Sequence, residues 1–172
     1  MEFTKIWLLC IVAAISYGII HDQVTAHLCV EYFSIAHPTI LPLMSPTLLA
    51  LQWGVLATWW VGAALGLGLA ACARLGQRLT FSALNLTRPI AGLLLCMATA
   101  SLLAGVAGFT LAERHKIALA GWLATAIPVQ KHSRFLADLW AHTAAYLAGG
   151  LGGIFLCART YRNRQAIAGS RP

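Results

Sequence analysis

Two histidine/carboxylate pairs stand out in this sequence of 172 residues: His27 with Glu31, and Asp138 with His142. Each pair is four residues apart, a spacing that puts both side chains on one face of a helix. Neutral imidazole and carboxylate bind Zn²⁺, Fe²⁺ or Mn²⁺. Two such pairs facing one another across a helical bundle therefore make a candidate metal site, with His27, Glu31, Asp138 and His142 as ligands. His21 and His37 are further candidate ligands, with Tyr146 and His132 as supporting groups. Tyr146 is one helical turn beyond His142, where it can orient that ring or serve redox chemistry. Asp22 or Glu113 would act as general base on a metal-bound water, whose pKa the metal lowers to about 7. Carboxylate-bridged di-metal bundles use a Glu-x-x-His spacing of three, so only the principle is shared with them.

This set suits zinc-dependent hydrolysis of a lipid-like or amphiphilic substrate, or, with iron, an oxidation by the same residues. Two alternatives use the polar residues without chemistry. One is a protein that binds metal or protons. The other is a non-catalytic membrane subunit whose polar layer docks a partner membrane protein or a second copy of the chain. Haem held by two histidines needs rings facing each other deep in a bundle; only His142 and His21 are placed for it, so haem is not expected. No Gly-x-Gly-x-x-Gly, Gly-Lys-Ser/Thr or His-Glu-x-x-His motif occurs.

The elements that must position these residues are membrane helices. The chain is 59% hydrophobic and 10% charged, with a mean hydropathy of +0.75. Soluble domains carry about 25% charged residues, and disordered chains are poor in apolar ones, so both classes are excluded. The net charge of +7 comes without a basic stripe interleaved with aromatics, which argues against nucleic acid as a partner. About 20 apolar residues cross a hydrocarbon core of about 30 Å. Stretches free of Asp, Glu, Lys and Arg place spans at about 4–21, 46–72, 89–112 and 136–158. The fold class is thus all-α, a four-helix membrane bundle forming one domain over 1–172. Segments 22–45 and 113–135 lie outside and 159–172 forms a cytoplasmic tail. The stretch 117–130 is too short to span and reads as interfacial, as does 22–36 unless it continues the first span. Ser45-Pro46 and Arg88-Pro89 read as helix starts, with proline in the first turn.

Lys5, Arg74, Arg78, Arg88, Arg159, Arg162, Arg164 and Arg171 fall on one side of this topology, which puts both termini in the cytoplasm. Arg114, Lys116, Lys131 and Arg134 run against the pattern. All six histidines and four of the five acids then share the outer face. Lys5 and the apolar run after it look like the start of a signal peptide, but the cleavage site is weak and the segment reads as retained. Gly62-x-x-x-Gly66 and Gly149-x-x-x-Gly153 provide small faces for close packing. The five cysteines form no Cys-x-x-Cys, which argues against a quinone-linked disulfide oxidoreductase.

The run 17–38, YGIIHDQVTAHLCVEYFSIAHP, resembles a segment of small uncharacterised bacterial polytopic membrane proteins. The likeness centres on Asp22-Gln23, Glu31-Tyr32-Phe33 and His37-Pro38 and covers 22 of 172 residues. It implies a bacterial inner membrane and no particular activity.

Overall fold

The computed structural model describes residues 1–76 and 80–169, with side chains to residue 165. Arg78 and Arg171 lie outside the described residues. Every regular element among those described is helical: α1 Glu2–Leu28, α2 Val30–Ser34, α3 Pro46–Leu56, α4 Trp59–Arg74, α5 Ala83–Glu113, α6 Trp122–Ala126 and α7 His132–Gly169, with a 3-10 turn Val129–Lys131 before α7. Four stretches are long and apolar enough to cross a membrane: Glu2–Leu28, Pro46–Arg74, Ala83–Glu113 and Val129–Gln165. The protein is an integral membrane protein built as an all-α bundle of four spans, as its composition requires.

The helices outrun the uncharged stretches. α1 passes through Asp22 to Leu28, and α5 begins at Ala83, before Arg88 and Pro89. Charge marks where lipid ends, but a helix ends where its backbone groups find other partners. At the start of α5 those partners precede the proline. The side-chain Oδ1 of Asn85 accepts from the Ser82 N–H at 2.9 Å and from its hydroxyl at 2.7 Å. Glu2 of α1 accepts from the Ala83 N–H at 3.1 Å, a carboxylate at the positive end of the helix dipole. Pro46 does open α3, with Ser45 before it.

The second span is divided. Between α3 and α4 the Thr58 N–H turns to the Val55 carbonyl at 3.3 Å, and the Thr58 hydroxyl bonds the Gly54 carbonyl. Opposite this break, α1 comes within backbone contact. A Cβ on Gly54 would lie 2.6 Å from Ile19 N and Cα, and one on Gly18 would lie 2.6 Å from the Gly54 oxygen. Gly62 lies as closely on Cys10 and Ile11, so the Gly62-x-x-x-Gly66 face is the seat of α1 on α4. α5 pairs with α7, where Gly108 meets the Leu136 backbone.

At the end of the bundle holding the chain termini, the core is Ile6, Leu69, Ala73, Leu86, Ile90 and Leu156. There Arg164 of α7 is buried and donates to the Cys72 and Leu75 carbonyls, at 2.6 and 3.0 Å, at the C-terminus of α4. Hydrogen bonds from a charged group contribute about 1.5–3 kcal/mol each. Arg164→Met is therefore expected to destabilise the protein by about 3 kcal/mol, read as a lower melting temperature in detergent. At the opposite end, Phe33, Cys29, Ile127 and Phe135 pack the short helices over the bundle.

Candidate metal site

The histidine-bearing end gathers three ligating groups inside the spans. His21 and Asp22 sit near the end of α1, and His142 sits in α7. One ligand atom from each lies within 4.8 Å of the others. Adjacent helical residues point about 100° apart; here the ring of His21 turns to α5 and the carboxylate of Asp22 to α7. Asp22 and His142 are 5% and 7% exposed.

The hydrogen bonds orient the group. His142 Nδ1 is 2.9 Å from the Asp138 carbonyl oxygen. A carbonyl only accepts, so Nδ1 carries a proton, and Nε2 is an acceptor on the neutral ring and a donor on the charged one. Nε2 faces Asp22 Oδ1 at 3.3 Å. His21 Nδ1 stands 3.4 Å from the Ser101 hydroxyl, and its buried Nε2 has no partner. The two imidazoles meet edge to face, 4.5 Å between centroids. Tyr32 of α2 stacks on His142 at 4.5 Å, with Phe33 and Phe135 beside it, and Tyr17 stacks on His21. The group is roofed by aromatic rings, which keep water out and raise the strength of its electrostatics.

Asp138 lies behind this group. Its side chain is 0% exposed, both carboxylate oxygens lack a partner, and its charged neighbours are the carboxylates of Asp22 and Glu31.

The grouping expected from spacing forms only in part. Asp138 and His142 do share one face of α7. His27 and Glu31 do not share a face, because α1 ends at Leu28 and Cys29 is extended, with φ −150° and ψ 90°. A spacing of four has no facial meaning across a helix break. His27 is exposed and its ring bridges the Gln23 carbonyl, at 2.7 Å, and Thr47, at 3.3 Å. Glu31 pairs with Lys131 at 3.4 Å and accepts from the Cys29 thiol at 3.3 Å. His37 donates to the Tyr32 carbonyl at 2.8 Å and packs on Trp53, 4.6 Å between centroids. Burial there holds its pKa below the usual histidine value. His132 donates to the Ile127 carbonyl at 3.0 Å, tying the cap to α7. Glu113 is exposed at the end of α5. Tyr146 borders a narrow cavity of about 120 Å³ that also touches His21, Asp22 and His142. Asp22, expected as a base, stands instead among the ligating groups.

Ser101 is the residue that spacing arguments passed over. Its signal is a hydroxyl in an uncharged span, on one stripe with Gly105 and Gly108 where α5 meets its neighbours.

Burial and the hydrogen bond to Glu31 push the Cys29 thiol up to about 12. At pH 8 about one thiol in 10,000 would then be ionised, and only the thiolate reacts. Native protein is expected to leave Cys29 unalkylated by iodoacetamide under conditions that modify it fully after denaturation, read by mass spectrometry. The chain matches no protein-family model, no curated protein and no solved structure.

Proposed function

We propose that this membrane protein is a divalent-metal hydrolase, with His21, Asp22 and His142 as ligands and a coordination position left for water and substrate. The observation that carries the reading is the 3.3 Å approach of His142 Nε2 to Asp22 Oδ1. With a neutral His142 these are two acceptors face to face, an arrangement that a metal ion or a proton between them relieves. Ligands about 2.0–2.1 Å from a tetrahedral zinc ion sit roughly 3.3 Å apart. The unpartnered Nε2 of His21 supplies the third donor. Ionisable groups inside membrane spans are costly and tend to be functional.

Two histidines and one carboxylate with an open position are a zinc hydrolase ligand set, and the same set serves Fe(II). Bound zinc would supply an activated water near neutral pH. The chain's own residues do the rest. The Asp138 carbonyl fixes the His142 tautomer, Ser101 holds the His21 ring, and Tyr32 and Phe33 exclude bulk water. The group lies between spans, so the substrate is an amphiphile drawn from the bilayer. The arginine distribution and the bacterial resemblance support a site towards the outer leaflet of a bacterial inner membrane, with both termini cytoplasmic.

The test is elemental analysis of protein purified in mild detergent and reconstituted with zinc, beside hydrolysis of ester- and amide-linked lipids. About one zinc per chain is expected, with hydrolysis that chelation abolishes. One iron per chain instead would move the chemistry to oxidation by the same ligands. Failure to retain zinc, iron or manganese would sink the reading and leave a proton-bridged Asp22–His142 pair in a non-catalytic subunit.

A further inference from the structure

Between α1, α5 and α7 lies a second cavity of about 460 Å³, within the range of about 300–1,000 Å³ common for ligand pockets. Its lining changes character from rim to floor. Val24, Leu102 and Val106 border it and are 68%, 67% and 55% exposed on the lipid-facing surface of the bundle. His21, Ser101 and Asp138 line it further in. The small residues Ala98, Gly105, Ala137 and Ala141 complete its wall.

The chemistry of the floor selects the occupant. Asp138 presents two buried carboxyl oxygens without a partner, and the charged groups acting on it are themselves carboxylates. A head that is anionic and carries no ammonium is repelled there. A protonated amine supplies both the missing charge and several N–H donors. An apolar rim facing lipid and a carboxylate floor together describe a site for a cationic amphiphile that arrives sideways from the bilayer.

We propose that this cavity binds a lipid with a primary ammonium head, its chain leaving between Val24 and Leu102 and its head held at Asp138. Such a lipid bound there sits beside His21, so the amine-bearing lipids become the substrate class of the proposed hydrolase. Only this last step rests on the metal reading; the binding itself does not.

The probe is a diazirine-bearing hexadecylamine, photolysed with metal-stripped protein in phosphatidylcholine vesicles. Labelling is expected on the α1 and α5 segments around Val24 and Leu102. Excess hexadecylamine should compete it away. Competition by phosphatidylethanolamine as well would name an aminophospholipid as the source of the amine; its failure to compete would name a lipid without phosphate. Asp138→Asn should lower labelling at least tenfold. Ala98→Trp, at an exposed position on the rim, should block it without disturbing the core. Equal labelling by a diazirine-bearing palmitate, undiminished in both variants, would overturn the proposal as ordinary lipid contact. Zinc is measured separately on loaded protein. Zinc without amine labelling rejects only the lipid site, and amine labelling without zinc rejects only the metal site.

Discussion

His142→Ala protein, purified and reconstituted with zinc, is expected to carry less than about a tenth of an ion per chain. His21→Ala should behave the same way, while His27→Ala and Glu31→Ala should keep the wild-type content. Loss of even an outer partner of a ligand weakens metal binding about 10–100-fold, so loss of one ligand in three is larger still. The contrast follows from what each side chain already holds. Glu31 is satisfied by Lys131 and the Cys29 thiol, and His27 by Gln23 and Thr47. Among the described residues, His21 instead has a buried Nε2 without a partner, and the only partner of His142 Nε2 is Asp22, itself in the candidate ligand set. Zinc retained by His142→Ala but lost from Glu31→Ala would move the ion beneath α2 and discard the ligand set.

Gly54→Ala is expected to lower stability by about 3 kcal/mol, while Gly92→Ala leaves it unchanged or slightly higher. Overpacking costs about 1–3 kcal/mol when side chains can shift aside. At Gly54 the added methyl meets Ile19 N and Cα at 2.6 Å, which is backbone and cannot shift alone. α1 must therefore move away from α3. His21 and Asp22 lie one turn beyond Gly18, so zinc affinity should fall with stability. At Gly92 nothing lies within 4 Å of an added Cβ, and alanine is the better helix former by up to about 1 kcal/mol. Thermal scans of both variants in detergent decide it. A Gly54→Ala melting point equal to wild type would mean that the two backbones do not touch.

Four membrane helices were legible because lipid leaves a compositional mark about 20 residues long. Their ends were not. Asp22 and Arg88 halted the uncharged stretches, yet both lie within helices, Asp22 because it faces the bundle and Arg88 because α5 is capped earlier by Ser82, Asn85 and Glu2. The facial pairing of Asp138 with His142 was readable because α7 is unbroken between them. The pairing of His27 with Glu31 was not real, since the extended Cys29 between them gave no sequence signal. What spacing along one helix cannot reveal is which helix lies opposite. The meeting of His21 with Ser101 and of Asp22 with His142 joins residues 80 and 120 positions apart.

That last separation also sets an order of events in the cell. Ribosomes add about 5–20 residues per second, so the 120 positions between Asp22 and His142 correspond to roughly 6–24 s of synthesis. A carboxylate at the centre of a newly inserted helix costs about 2.5–3.5 kcal/mol; Asp22, nearer the end of α1, bears a smaller cost without its partner until α7 is made. The small-residue contact of Gly18 with Gly54 involves only the first two spans and is available first. Biogenesis thus passes through a docked helical pair carrying an unmatched acid, and the polar centre closes only when the final helix is inserted.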